Sequence, residues 1–366
     1  MKKYAGMLAA LLFVLSSATG FAQEYYTLPE IREQAEAGWH ETYTDKYGRT
    51  VQVDIDIDVF GSDKAPVIKT DVPEFVEYLC NNNCPYDSVT NVARKGGKRT
   101  HPYCTYGKEV NLDEAYGAEY GNDLTVREAY DFLTELLEEH GHGYSVDNFI
   151  LNPPNNFEVV YSKMVDTGEV HVPAFYNAQF WQQMHGLPII IGAEWGFKIS
   201  NTRSYSPGLF FQMRNEEEYS IDIRPLHEVE ILAEDIPLCG LENVIHSIEG
   251  WIEGGYVQHV MQLQFGYAVY SDPAVLDFRK SNQEDECYFL VPSWVLVCVF
   301  SGNPKEYQKD RIDALNPDDD RFGEFVGRSY QIINAQTGAV LDFFDESKGG
   351  GGDGSYKGFI PWDDVR

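Results

Sequence analysis

Apolar and polar residues alternate strictly in "RTVQVDIDIDVFG", where the valines and isoleucines of positions 51–59 share one parity and a glutamine and three aspartates occupy the other. Successive side chains of a β-strand point to opposite faces, so this pattern predicts a strand with one buried and one solvated face. The segments "YSIDIRPLHEVEILAED" and "YVQHVMQLQFGYAVY" alternate in the same way, and Pro225 interrupts the first of them. We therefore expect strands in both halves of the chain.

Helical spacing is clearest in "LTVREAYDFLTELLEEHGHG", where apolar residues recur every three or four positions. Thr125 and Glu128 have the spacing of a capping box at its start, and Gly141 marks its end. "LENVIHSIEGWIEGG" predicts a second helix that glycines close. The capping-box spacing of Asp71 and Glu74 predicts a third helix over "DVPEFVEYLC".

The run Tyr288–Phe300, "YFLVPSWVLVCVF", is apolar almost throughout. It is shorter than the roughly 20 residues that a membrane-spanning helix needs, and it contains Pro292. Its valines and aromatic residues instead predict a strand buried on both faces, the central strand of a C-terminal sheet, with Trp294 in the core. Because proline lacks an N–H, we expect Pro292 near the start of the strand or opposite a bulge.

Other strand pairs are expected from short polar turns between apolar runs. "NFEVVYSKMV" pairs with "GEVHVPAFYNAQFW", and "SYQIINAQTGAVLDFF" forms two strands with a turn between Asn334 and Gly338. Each half of the chain thus has a helix followed by antiparallel strands, which predicts an α+β fold of two helix-on-sheet modules and is compatible with a divergent tandem repeat.

These patterns divide the chain into five predicted regions. They are a signal peptide at 1–22, a linker or short helix at 23–43, an N-terminal α+β module at 44–215 with a cysteine-containing insertion at 80–104, a C-terminal α+β module at 216–345, and a glycine-rich tail at 346–366.

The first region has the three parts of an export signal. Lys2 and Lys3 precede an apolar stretch, and Gly20 and Ala22 supply small residues before a cleavage point at Gln23. We therefore expect an extracytoplasmic protein, secreted or at the cell surface, with no stable membrane span once the signal is removed. An uncleaved signal acting as an anchor is the alternative.

The formal net charge is −30, from 58 acidic and 28 basic residues. Binding to nucleic acid requires clustered lysine and arginine, so this balance argues against a nucleic-acid partner, and it also disfavours anionic lipid surfaces. A basic partner or divalent cations would be attracted, although acidity also serves simply to keep an exported protein soluble.

The sequence contains none of the short catalytic motifs that we sought. The serine nucleophile elbow, the zinc-protease His-Glu-x-x-His and the phosphate-binding loop are all missing, so no catalytic or cofactor-binding residue is assigned.

The spacing of three cysteines and a histidine is compatible with a metal-binding site. Cys80, Cys84, His101 and Cys104 could hold a tetrahedral zinc ion. In an exported chain a disulfide is the favoured alternative, from Cys104 to Cys84 or to Cys80, with a free thiol left over. Cys298 lies in the apolar run and is expected to be a small core residue.

Six segments in order, "LTVREAYDFLTELL", "FYNAQFWQQMHGLPIII", "LENVIHSIEGWI", "QLQFGYAVYSDP", "YFLVPSWVLVCVF" and "IINAQTGAVLDFF", carry a family likeness over about residues 43–344. This order resembles a family of uncharacterised extracytoplasmic lipoproteins from anaerobic Gram-positive bacteria, of the type of domain of unknown function 6034. The chain lacks the lipidated cysteine of that family, and the resemblance supplies no catalytic residues.

More distantly, "VPSW" followed by "INAQTGAVLD" resembles the PepSY superfamily and YycI-type regulators of sensor kinases. The resemblance implies non-enzymatic modules of a helix on an antiparallel sheet that inhibit proteases or modulate envelope signalling. We therefore expect an exported binding or regulatory protein whose partner is an envelope protein or peptide.

Two other functions stay open. One is a secreted hydrolase with dispersed Asp, Glu and His, and the other is a structural envelope protein. A deep pocket with convergent acidic or histidine side chains would favour the enzyme, and a flat groove or an open sheet edge would favour binding.

Overall fold

A computed structural model describes residues 24–72, 77–80, 100–105, 111–151, 158–164, 167, 170–190, 197–200, 203–205, 207–271, 288–313, 329–341 and 359–365. The predicted signal peptide, Cys84 and most of the glycine-rich tail lie outside these ranges. None of the helices within them is long and apolar enough to cross a membrane.

The fold is α+β, as predicted, and consists mainly of antiparallel sheets. The strands of sheet I are, in spatial order, Glu77–Cys80 (β6), Glu218–Arg224 (β15), Gly208–Asn215 (β14), Val170–Met184 (β10), Glu158–Met164 (β9) and Thr100–Thr105 (β7), with Phe149–Leu151 (β8) and Leu187–Pro188 (β11) also paired to β10. The predicted pairing of β9 with β10 is confirmed.

Sheet II collects strands from both ends of the chain. They are, in spatial order, His227–Ala233 (β16), Val67–Asp71 (β5), Tyr288–Phe300 (β19), Val257–Ser271 (β18) and Ile57–Val59 (β4), with Ser329–Asn334 (β20) paired to β19 and to Val340–Leu341 (β21). Three smaller pairs join Tyr25–Tyr26 (β1) to Leu238–Cys239 (β17), Trp39–Thr44 (β2) to Thr50–Ile55 (β3), and Phe197–Ser200 (β12) to Arg203–Tyr205 (β13).

The helices are Leu28–Ala35 (α1), Val126–His140 (α2), Leu241–Glu253 (α3) and the short Lys309–Asp313 (α4). The capping box of α2 is confirmed, because the Thr125 side chain accepts the Glu128 N–H at 3.2 Å and the Glu128 carboxylate accepts the Thr125 N–H at 2.8 Å. Within 24–43 the chain forms β1, α1 and most of β2, and Leu28 and Ile31 are fully buried. The region predicted as a linker or a short helix therefore contains a short helix, and that helix contributes to the core.

The helix predicted over "DVPEFVEYLC" is wrong in the part that the structure describes. Asp71 ends strand β5, and residues 77–80 form β6, which pairs with Ser220 to Ile223 of β15. The spacing of Asp71 and Glu74 suggested a helix cap. The backbone hydrogen bonds of residues 77–80 are instead formed with a strand more than 100 positions away in the chain.

Sheet I is inserted between two neighbouring strands of sheet II. The chain leaves after β5, builds sheet I, and returns as β16, which pairs antiparallel with β5. The predicted boundary at 215/216 therefore does not coincide with the division between the sheets, because β15 belongs to sheet I and β4 and β5 belong to sheet II. The pairing of strands that are distant in the sequence sets the division between the sheets, and local sequence patterns do not report such pairing.

Each sheet has its own buried cluster. The core of sheet I includes Val126 and Leu133 of α2, and that of sheet II includes Ile31 of α1 and Ile248 of α3. Trp181 of β10, Ile190 and Val295 of β19 form a third cluster, which joins the two sheets.

The strand predicted at Tyr288–Phe300 is confirmed, since every residue from Tyr288 to Val299 is buried and β19 has partners along both edges. Its sheet is not a C-terminal one, however, because it also contains β4 and β5. Pro292 is not opposite a bulge. Its carbonyl accepts the Ala335 N–H at 3.3 Å, so its nitrogen also faces the edge of β19 that pairs with β5 and β20. On that edge the pairing with β5 ends at Leu290 and the pairing with β20 begins at Ser293. The missing N–H thus falls in the gap between two partner strands.

The alternation in β3 is also confirmed, with Val51 and Val53 buried and their neighbours exposed. The single strand predicted over positions 51–59 is wrong, because the segment divides at Asp56 into β3 and β4, which belong to different sheets. In β18 the alternation fails at the start, because register shifts flank Val260, which is buried while Met261 is not. From Leu263 to Tyr270 both faces of β18 are buried.

Candidate functional site

Strand β16 lies at one end of the strand order of sheet II and is largely exposed. Within the described ranges it pairs only with β5, and its residues from His227 to Ile231 are all exposed. Val229 keeps 49% of its surface in solvent and Ile231 keeps 39%. A strand of this kind offers a row of backbone N–H and C=O groups together with apolar side chains. We call the side of β16 that faces away from β5 the β16 edge.

The start of β16 is fixed by a buried side chain of sheet I. The amide of Gln182 on β10 donates from Nε2 to the Leu226 carbonyl at 2.8 Å and accepts the Leu226 N–H through Oε1 at 2.6 Å. The Tyr144 hydroxyl donates to the same carbonyl at 3.2 Å. Burial, and secondarily the Asp71 carboxylate, raise the pKa of Tyr144, so this hydroxyl stays protonated near neutral pH.

The end of β16 is held by Asp235. Its Oδ1 accepts the Ala65 N–H at 3.0 Å, and its Oδ2 accepts the Trp362 indole N–H at 3.4 Å. The strand is therefore anchored at both ends while its middle stays open. A strand held in this way loses little further conformational freedom when a ligand pairs with it.

Side-chain contacts along β16 are mostly between exposed groups. His185 Nε2 lies 2.6 Å from Glu228 Oε2, His227 Nδ1 lies 3.4 Å from Asp71 Oδ1, and Lys64 Nζ lies 3.1 Å from Glu234 Oε2. No cation of the described chain lies within salt-bridge distance of Glu230.

A groove of about 360 Å³ adjoins the strand. It is lined by Ser62, Asp63, Lys64, Pro66, His185, Ile231 and Glu234. This volume is at the lower end of the roughly 300–1,000 Å³ typical of small-molecule sites, and the groove is open to solvent. It provides room for one long side chain beside Ile231.

Two register shifts interrupt the pairing of β16 with β5, one between Glu228 and Glu230 and one between Ile231 and Ala233. Bulges and charges on an edge strand discourage unspecific pairing with other chains. Neither feature closes the edge at Glu230 and Ile231, which lie between the two shifts.

The predicted zinc ligands are not brought together by neighbouring strands. Cys80 ends β6 and His101 and Cys104 lie in β7, and these two strands are at opposite ends of the order of sheet I. Cys84 lies outside the described residues, so the zinc site and the Cys84–Cys104 disulfide stay predictions.

The four predicted core markers occupy structural positions around β19 and its partner strand. Trp294 is fully buried and packs edge-on against Phe265, with 5.2 Å between ring centroids. Asn334 Oδ1 accepts the Gln336 N–H at 2.9 Å, and Gly338 closes the turn with a φ of 64°. Cys298 is a buried free thiol, as expected, and burial raises its pKa above the usual value for a thiol.

A second exposed cluster combines tyrosines with cations. Arg49 lies over the rings of Tyr47 and Tyr307, and Lys46 lies over those of Tyr47 and Tyr256, at 4.9 to 5.4 Å from the ring centroids. Arg49 also donates to the carbonyls of Gly255 and Pro304. This cluster therefore ties three loops together, which is a structural role.

No sequence motif marks β16 as a site. Its residues "HEVEILA" alternate like those of any half-buried strand. The sequence feature that indicates an edge strand is the pair of glutamates that flank Val229, since charged side chains are typical of edge strands.

Comparisons with known proteins add little to this geometry. No protein-family model matches the chain, and no curated protein matches it. Among solved structures it is similar to an uncharacterised protein from Eubacterium rectale ATCC 33656, at 12% sequence identity and a TM-score of 0.41, over 79% of this chain and 90% of that one. Neither a fold nor a function is transferred at that level of similarity.

Proposed function

We propose that this protein is an exported, non-enzymatic binding protein of the cell envelope, with a regulatory role, that receives an extended segment of a partner protein along the β16 edge. The exposed Val229 and Ile231 on an anchored strand whose outer side has no partner in the described chain carry the proposal. The export signal and the likeness to PepSY and YycI-type modules support the cellular location and the regulatory role.

Two kinds of contact would contribute to the free energy of such binding. Covering two half-exposed aliphatic side chains contributes about 1 kcal/mol each, because full burial of such a side chain is worth about 1.5–3 kcal/mol. Each new main-chain hydrogen bond adds about 1 kcal/mol net. Association itself costs about 4–15 kcal/mol in lost translational and rotational freedom, so a short segment would bind weakly and reversibly.

The export arm of the proposal has a separate test. The full chain is expressed in a Gram-positive host, the cell is fractionated, and the N-terminus of the exported form is sequenced. We expect a mature chain that begins at Gln23. Retention of the full-length chain in the cytoplasm would contradict export.

The binding arm is tested by placing a photo-crosslinking amino acid at Val229 in cells. The matched control is Val170, which is also a strand valine, is 39% exposed, and lies in sheet I. We expect adducts from position 229 to map to one short segment of a partner protein. Equal adducts from both positions, or none from position 229, would count against the β16 edge as the binding surface.

A further inference from the structure

We infer that the segment received at the β16 edge is basic, with lysine or arginine at positions that face the strand. This inference rests on the proposed function and names the chemical class of its partner.

The surroundings of the edge are acidic. The strand, its neighbour β5, the loop 62–66 and the turn at His185 together carry more carboxylates than ammonium groups. The carboxylates are Asp63, Asp71, Glu228, Glu230 and Glu234. The cations are Lys64, Lys69 and Arg32 of α1, whose guanidinium lies 3.8 Å from the Asp63 carboxylate, so the carboxylates remain in excess. Two histidines, His185 and His227, each contact one carboxylate and do not reverse the balance. Cations are therefore attracted to this surface and anions are repelled.

Glu230 is the carboxylate best placed to select a basic residue. It is exposed at the middle of β16, and the Lys69 ammonium on β5 does not come within 4.0 Å of it although the two residues are in register. A cation on a partner strand at the open side would therefore form an ion pair that Glu230 does not make within the described chain.

The groove suits a long basic side chain. The aliphatic part of a lysine or arginine can pack against Ile231 and Pro66 while its charged end reaches Glu234 at the rim. Lys64 contacts Glu234 at present, but both side chains are largely in solvent, at 60% and 81% exposed. Such surface pairs contribute little, so a ligand can replace Lys64 at low cost.

The same charges disfavour a second copy of this chain as the occupant. Antiparallel pairing of two β16 strands would bring glutamates of one copy beside glutamates of the other, and like charges across a strand pair are destabilising. The net charge of −30 adds a general repulsion between copies.

The inference is tested with the full-length exported protein and three labelled ten-residue peptides that alternate valine with lysine, with serine or with glutamate. Binding is followed by fluorescence anisotropy. We expect the lysine peptide to bind about threefold to fivefold more tightly than the serine peptide, since it forms one new exposed ion pair at Glu230, while its contact with Glu234 only replaces that of Lys64. The glutamate peptide should not bind, and raising the salt should weaken the lysine peptide most.

Two charge-reversal variants separate a local effect from one of overall charge. Glu230→Lys should lower the affinity for the lysine peptide about fivefold or more and improve binding of the glutamate peptide. Glu217→Lys changes the net charge equally at an exposed turn of sheet I and should leave both affinities as in the wild type. Thermal melts of both variants verify that they are folded.

The outcomes distinguish the two proposals. If the lysine and serine peptides bind equally well and Val229→Asp abolishes the binding of both, the inference that the segment is basic is wrong, while the β16 edge remains the binding surface. Equal losses in both charge-reversal variants would likewise overturn the inference. If none of the three peptides binds and position 229 gives no adduct in cells, both the proposed function and this inference fail.

Discussion

Strands β19 and β16 belong to the same sheet but differ strongly in their exposure to solvent. In β19 every residue but the last is buried, whereas in β16 five consecutive residues are exposed. The reason is the number of neighbours. β19 has β18 along one edge and β5 and β20 along the other, and helices and a second sheet cover its faces, while β16 has β5 alone among the described strands.

This difference separates stability from recognition. The centre of sheet II supplies buried apolar area, which is the main favourable term in folding. The edge contributes little buried apolar area and leaves polar backbone groups in water, so its residues can bind a partner with little effect on folding. Substitutions in the two strands should therefore affect different measurements.

The largest effect is expected at Trp294. Trp294→Asp places a carboxylate in a site with no solvent access, and we expect a loss of more than about 4 kcal/mol and no soluble protein. Trp294→Phe is the control, because the indole N–H has no hydrogen-bond partner in the described structure and its removal leaves no group unsatisfied. Normal export and melting of Trp294→Asp would show that β19 is not the core of the sheet.

The next largest effect is expected at Gly266, where the segment after β11 crosses β18. A Cβ at Gly266 would lie 2.6 Å from the Pro188 carbonyl oxygen and 2.7 Å from Ile190 Cδ1. We expect Gly266→Ala to cost about 1–3 kcal/mol, measured by urea denaturation.

Gly250→Ala is the matched control for this substitution. Gly250 lies in the exposed part of α3, and nothing would contact its Cβ within 4 Å. Alanine is the better helix former, so a gain of up to about 1 kcal/mol is expected. Equal effects at the two glycines would contradict the close contact between the sheets.

A smaller effect concerns His259 on β18, whose pKa burial lowers from the usual 6.5. Below that pH the unfolded chain binds a proton more readily than the folded chain does. The free energy of unfolding therefore decreases as the pH falls from about 6.5 toward the lower pKa of His259 in the folded state. Melting temperatures between pH 7.5 and 5.0 should fall less steeply in His259→Gln than in the wild type. Parallel pH profiles would show that His259 is protonated freely in the fold.

The smallest effect on stability is expected at the edge. Val229→Asp introduces the same residue as Trp294→Asp, but at a side chain that is already half in solvent. The unfolding free energy should change by no more than about 0.5 kcal/mol, while adducts and peptide binding at the β16 edge are lost. A drop as large as that of a core variant would mean that β16 is covered in the native protein.

Local patterns in the sequence predicted the elements whose signals are local. The capping box of α2, the alternation of β3, the apolar run of β19 and the turn at Asn334 depend on residues within a few positions of one another, and each is present in the structure. The helix predicted over "DVPEFVEYLC" is wrong because residues 77–80 pair instead with a strand far along the chain.

The sequence by itself determined that the chain is a strongly acidic α+β protein, which strands are apolar on one or both faces, and where its clearest helices begin and end. Only the tertiary structure decided that sheet I is inserted between β5 and β16, that Pro292 falls in a gap between partner strands, and that β16 stands at an edge. The physical reason is that alternation reports which face of a strand is apolar, whereas the neighbours on its hydrogen-bonding edges come from residues far away in the chain. Whether "HEVEILA" is an inner strand or an open edge is therefore a property of the assembled sheet.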